Sequence, residues 1–221
     1  MTIAVERFLL AYKPVPKAAC SSVKAGLALI DERINVELDD LAQNNKHIHA
    51  IYPTDRFHRR RWKGFRDHFR FTVVRDPIKR LLSVYTNRVV SKGELSNSPK
   101  LRGVRDRLPV DPDPDFFFQN LTEYMTLSST IKHHALHTYH FTGRDLSVYS
   151  KIYRTSDLPD LADDLGEITG AKVSIPRFNS SGEPLRFDDL GPKTRRKIMK
   201  YLDPEFEHLG ALFPRPLRIR S

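Results

Sequence analysis

The chain has 221 residues, 39% of them hydrophobic and 29% charged, a balance that suits one globular domain with a real core. No run of about 18 apolar residues occurs, so no transmembrane helix is expected; no charged segment followed by a long apolar one opens the chain, so no secretory signal is expected and a cytoplasmic location is the default. A formal net charge of +10 draws anions of any kind, whether nucleic acid, acidic lipid, acidic glycan or phosphorylated small molecule, and Cys20, the only cysteine, rules out an intrachain disulfide.

Phe8 to Tyr12 is a short apolar run that reads as a buried strand. Pro14 and Pro16 stiffen the exit from it, Lys17 follows, and Ala18 to Ser22 are small. From Val23 the period changes: Val23, Leu27, Ile30 and Ile34 recur at helical spacing. Strand, tight loop and helix in this order make an anion cradle. Small side chains let a ligand approach the backbone, the first helical N–H groups lack internal partners, and Lys17, Ser21 and Ser22 add a charge and two hydroxyls. There is no GxxxxGK, and the lysine precedes the small residues, so this is not the usual nucleotide-triphosphatase loop. An ordinary strand, loop and capped helix would show the same pattern. Cys20 reads as a small buried residue in the loop more readily than as a nucleophile.

Residues 35–50 are polar and read as loop or short strand. They hold His47 and His49, which face the same way if the segment is extended. The run RFHRRRWKGFRDHFR at 56–70 is densely basic: a solvated surface, or the path of an acidic substrate. Phe69, Phe71, Val73 and Val74 predict a second strand, with Arg75 at its carboxyl end. Asp76 is placed as a helix cap and Pro77 as first helical residue, followed by an apolar stripe of Ile78, Leu81, Leu82, Tyr85 and Val89. In an open α/β sheet ligands gather beyond the carboxyl ends of strands. The two turns would therefore hold two ends of one multiply charged molecule, with Arg75 and Ser83 as phosphate donors. Arg75 and Asp76 also read as a local ion pair at a helix start.

Residues 90–115 are rich in Gly, Pro and charge and predict a long loop, either a lid facing a substrate or a surface excursion. Phe116 to Leu127 predicts a helix with Phe117, Leu121 and Tyr124 on one face. His133, His134, His137 and His140 crowd one stretch; His133 and His137 would share a face if it is helical, yet no cysteine or HExxH pattern supports zinc, and no metal is expected. Val148 to Tyr153 predicts a strand, Asp157 to Leu165 a short helix ending near Gly166, and Pro192 to Tyr201 a basic helix. Leu185 to Leu190 is ambiguous, and the tail from 214 is short and basic.

PKAACSSVK at 16–24 resembles the 5′-phosphosulfate loop of sulfotransferases that use 3′-phosphoadenosine 5′-phosphosulfate (PAPS), and FTVVRDPIKRLLSVY at 71–85 resembles their 3′-phosphate strand and helix. The pair is most similar to the carbohydrate (Golgi-type) sulfotransferases, in which a PK precedes the small residues. KIYRTSDLPDLADDLG resembles the segment after the family's acceptor region, without the acidic residue often found where Thr155 and Ser156 stand; PRFNSSG at 176–182 resembles a P-x-x-N-x-S segment near the cofactor. The resemblance implies an α/β, P-loop-like three-layer fold with a central parallel sheet, and a single domain over 1–221 with a loop insertion at 90–115; the family is usually membrane-tethered, but this sequence shows no such anchor, so a soluble form is expected. The resemblance also implies Lys17 as the catalytic lysine beside the transferred group, Lys17, Ala18, Ala19, Cys20, Ser21 and Ser22 as the cofactor loop, and Arg75 and Ser83 as the 3′-phosphate grip.

Sulfuryl transfer to a hydroxyl calls for a base, and histidine suits that role, with an ordinary pKa of about 6.5. His47 and His49 resemble the H-x-H of uronyl 2-O-sulfotransferases, which implies His49 as base and His47 as its acceptor-orienting partner; Glu37, Asp39 and Asp40 are fallback carboxylates. The expected reaction joins PAPS to a carbohydrate or glycolipid hydroxyl, leaving 3′-phosphoadenosine 5′-phosphate (PAP). Two alternatives stay open. One is a nucleotide-kinase-like phosphotransferase, which needs a metal-holding acidic partner. The other is a binder of nucleic acid or acidic polymer, which the lack of a finger, RRM or KH pattern disfavours.

Overall fold

Strands form where aromatic and β-branched residues cluster, and in a computed structural model of the chain four of them make one sheet. Residues 2–36, 45–178 and 185–216 are described. In chain order the elements are β1 (Ile3–Val5), β2 (Leu10–Lys13), α1 (Cys20–Ala28), α2 (Asn45–Ile51), α3 (Arg59–Trp62), β3 (Phe69–Val74), α4 (Pro77–Val84), α5 (Pro114–Gln119), α6 (Leu121–Leu127), α7 (Ser129–Ala135), α8 (Tyr139–Thr142), β4 (Lys151–Arg154), α9 (Leu158–Thr169) and α10 (Pro192–Leu209). The architecture is the mixed α/β one expected, a mostly parallel sheet flanked by helices. The chain falls into two units, Met1–Arg75 with Thr138–Ser180, and Asp76–His137 with Ser181–Ser221.

The first unit holds the whole sheet, in the order β1-β2-β3-β4. β1 is antiparallel to β2, with Ile3 opposite Tyr12. β2 and β3 are parallel, with Lys13 opposite Thr72, and β3 and β4 are parallel, with Val74 opposite Arg154. The three parallel strands thus end along one sheet edge, so the loop after Lys13, Arg75 and Thr155 all begin there. One face buries Leu10, Tyr12, Phe71, Val73 and Tyr153 with Val23 and Leu27 of α1 and Leu161 and Leu165 of α9. The other packs Ala11 and Ile152 with Trp62 and Tyr149.

Several boundaries differ from the periodicity. Phe8 lies in a 3₁₀ turn, Glu6–Phe8, and Leu9 at φ 49° swings the chain into β2. β1 is only three residues long, too short for an alternating pattern to show. α1 starts at Cys20 and stops at Ala28, so Ile30 and Ile34 follow it, packed on the same core. α9 runs through Gly166 to Thr169 and is closed by Gly170 at φ 69°, the left-handed position glycine adopts without strain.

In the second unit Asp76 accepts from Lys79 N at 2.8 Å and Pro77 opens α4, as expected. Leu81, Leu82 and Val89 of the predicted stripe are buried, the last in a π-helical continuation, Tyr85–Ser91. The stretch 90–115 contains a 3₁₀ segment, Pro99–Val104, and sinks Leu95, Leu101 and Leu108 into the core. Phe116 to Leu127 is two helices, α5 and α6, broken at Asn120, yet Phe117, Leu121 and Tyr124 are buried together. α10 extends past Tyr201 and through Pro204, because Ile198, Leu202, Phe206 and Leu209 keep one face apolar. Arg80 and Glu205, both fully buried, pair at 3.1 Å, and Arg80 Nη2 donates to Leu136 O at 2.7 Å.

Candidate active site

The loop between β2 and α1 carries two non-glycine residues in the left-handed region, Lys17 at φ 66° and Ala19 at φ 56°. Each such residue costs about 1–2 kcal/mol in an L-amino acid, so the rest of the fold holds the loop in this shape. Ala19 is the N-cap of α1, and no side chain caps the helix there, which leaves its first-turn N–H groups directed at whatever lies before them. Small residues, a helix N-terminus without a side-chain cap and a lysine are the chemical parts of an anion-binding turn.

Arg75, at the end of β3, donates from Nη1 to the carbonyl of Lys17 at 3.2 Å. The two turns singled out in the sequence therefore meet within the first unit. Ser21, half-buried in the first turn of α1, lies with Oγ 2.8 Å from His49 Nε2. Ser22 is buried, and its Oγ accepts from Phe178 N at 3.3 Å, tying α1 to the segment that carries Pro176 and Arg177; residues 179–182 of that motif lie outside the described residues. Gly26 lets the same segment come close: a Cβ there would stand 3.0 Å from Ser174 O. Cys20, expected in the loop, is instead the first residue of α1, and it is buried as expected. Ser83 belongs to the second unit, where its hydroxyl donates to Arg80 O at 2.7 Å within its own helix.

The expected pairing of His47 with His49 does not form. The segment is helical, so side chains two apart point about 200° apart round the axis. His49 turns toward α1 while His47 is exposed. Of the downstream histidines, His133 and His134 meet edge to face, their ring centroids 5.1 Å apart. α7 ends at Ala135, before His137; His134 Nδ1 bonds Thr130 O at 2.8 Å, and His137 Nε2 bonds Tyr201 O at 2.8 Å with its ring stacked on Tyr201. Among the described residues no group of three or more His, Cys, Asp or Glu is placed to hold a metal. Glu37, Asp39 and Asp40 lie outside the described residues.

Two lysines outside the predicted site, Lys13 and Lys24, are buried. Lys13, 2% exposed, donates to Asp55 Oδ1 at 2.7 Å and to Arg56 O at 3.0 Å. Burial lowers its pKa, and the hydrogen bond it donates to Asp55 opposes that fall. Lys24, fully buried, reaches Thr54 Oγ1 at 2.7 Å and His49 Nδ1 at 3.1 Å. Burial pushes its ammonium down from 10.5 to about 8; Cys20 raises it and Lys13 lowers it further. One signal was available for Lys24: it lies four residues after Cys20 and three before Leu27, on the buried face of α1.

The parallel strands thus end beside a strained loop, a helix N-terminus with no side-chain cap and an arginine, chemistry suited to a phosphate-bearing or similarly charged molecule. A model of the sulfotransferase family matches residues 2–209, nearly the whole chain, and the protein belongs to that family. No curated protein and no solved structure matches it. Among the described residues no helix is long and apolar enough to cross a membrane.

Proposed function

We propose that this sulfotransferase moves a sulfuryl group from PAPS to a hydroxyl of a carbohydrate or glycolipid acceptor. The observation that carries the reading is the bond from Arg75 to the Lys17 carbonyl, 3.2 Å long, which sets a guanidinium beside the anion loop at the carboxyl edge of the sheet. The residues present suit the nucleotide: a lysine, helix N–H groups and the hydroxyl of Ser21 for the phosphosulfate, and a forked guanidinium for the 3′-phosphate. When bound, PAPS supplies the sulfuryl group on a phosphate leaving group. Lys17 offsets the negative charge that grows on the leaving oxygen. His49, hydrogen-bonded to Ser21 of the loop, receives the acceptor's proton at Nε2. The carbohydrate class of acceptor rests on the likeness of PKAACSSVK to the carbohydrate enzymes.

Calorimetry with PAP and labelled PAPS offered with a panel of glycans and glycolipids test this. PAP should bind at micromolar levels, and Lys17→Ala should cut turnover by about 10²–10³-fold while weakening PAP binding much less. Failure to bind PAP or PAPS, magnesium-dependent consumption of ATP instead, or unchanged turnover in the variant would overturn the assignment.

A further inference from the structure

Lys24 stands where a catalytic histidine usually has a carboxylate. A carboxylate behind the ring accepts the proton of the near nitrogen and leaves the far nitrogen open as a base. An ammonium does the opposite: with three donors and no acceptor, it requires Nδ1 of His49 to be the acceptor. The ring proton then sits on Nε2 and is donated to Ser21 Oγ; the separations on the two sides of the ring are 3.1 and 2.8 Å. In that state Nε2 is no base. Neutral Lys24 reverses the arrangement: Nζ accepts from Nδ1–H and Nε2 is left with its lone pair.

We infer that Lys24 and His49 work as one proton-holding pair, in which Lys24 selects the imidazole tautomer and is the final seat of the acceptor's proton. The inference rests on the assignment of His49 as base. In the transfer step the acceptor oxygen bonds to sulfur and the sulfur–oxygen bond to the leaving phosphate breaks. The hydroxyl proton passes to Nε2, and the proton on Nδ1 passes to Lys24 Nζ. The pair starts as neutral lysine with Nδ1–H imidazole and ends as ammonium with Nε2–H imidazole, one proton richer.

The surroundings favour a lysine able to lose its proton. Lys24 is fully buried, and among the described residues its hydrogen bonds go to Thr54 and His49, not to a carboxylate. The groups that face it are the Cys20 thiol from its own helix, His49 from α2, Thr54 from the chain after α2, and the Lys13 ammonium from β2, itself paired with Asp55. Burial and Lys13 bring its titration to about 8, near enough to a working pH for both states to be populated.

Lys24 is thus a positioning residue, and its signature is spectroscopic as well as kinetic. Two-bond ¹H–¹⁵N spectra of histidine-labelled protein over pH 6 to 9.5, with His49→Asn to assign the resonance, should show His49 as the Nε2–H tautomer at low pH. It should convert to Nδ1–H with a midpoint near 8. In Lys24→Met the conversion at that midpoint should vanish, and the acid limb of kcat should move from about 8 toward the ordinary imidazole value of about 6.5. A wild-type ring that keeps one tautomer throughout overturns the inference, even if the variant does not fold. So does a Lys24→Met protein with the wild-type conversion and pH profile. A tautomer switch in a protein that binds neither PAP nor PAPS would instead sink the sulfotransferase chemistry and leave the pair standing.

Discussion

Replacing Lys24 by methionine should change how stability depends on pH more than stability itself. The ammonium is fully buried and its pKa falls from 10.5 to about 8, chiefly through burial, with Cys20 raising and Lys13 lowering it. At 1.36 kcal/mol per unit this is a cost to folding of about 3 kcal/mol at neutral pH. Methionine removes that cost but also the bonds to Thr54 and His49, each worth about 1 kcal/mol, so the two proteins should differ by little near pH 7. The sign follows from proton counts. Between pH 8 and 10.5 the unfolded chain holds the proton that the folded one has lost, so wild-type stability rises with pH through that window. Relative to Lys24→Met, the wild type should gain about 2 kcal/mol between pH 7 and 9.5. Urea unfolding followed by Trp62, the only tryptophan and buried in the same unit, reads the difference directly. Taking the difference between the two proteins cancels the buried tyrosines, such as Tyr12, whose raised pKa values pull the other way at high pH. Parallel stability curves over this range would refute the claim of a buried lysine that sheds its proton.

Ala19→Gly should stabilise the protein by about 0.5–1 kcal/mol, since glycine takes φ 56° without the Cβ penalty, whereas Ala19→Val should destabilise it; urea unfolding distinguishes this from the loss expected for glycine at an ordinary position. Glu205→Ala should cost about 3–5 kcal/mol, because it leaves the fully buried Arg80 guanidinium without its carboxylate, while an apolar double replacement of Arg80 and Glu205 should cost much less; thermal melts of the three proteins by circular dichroism check the ranking.

How much could be read in advance depended on the range of the interaction. Local chemistry predicted β3, the Asp76 cap and Pro77 start of α4, and the shared burial of Phe117, Leu121 and Tyr124, because period, propensity and capping act over a few neighbouring residues. Where two local signals competed, the reading slipped. A glycine inside a helical pattern looked like its end, but Gly166 stays in α9 and Gly170 closes it. A polar stretch with two histidines looked extended, but residues 45–51 coil because Ile48 is drawn fully into the core, and that separates His47 from His49. The polar run at 90–115 hid three core leucines, too sparse among charges to set a period.

From its own letters the chain marked out two turns, since small residues after a lysine, and an arginine between a strand and a capped helix, are patterns written within a few positions. It could not declare that those turns touch. That came from the parallel pairing of β2 and β3, which brings residues 58 apart in number to one edge and lets Arg75 reach Lys17. For Lys24 the sequence offered only its spacing from Cys20 and Leu27: a lysine is charged and solvent-facing by default, and burial beside side chains from α2 and β2 is what lowers its pKa to about 8.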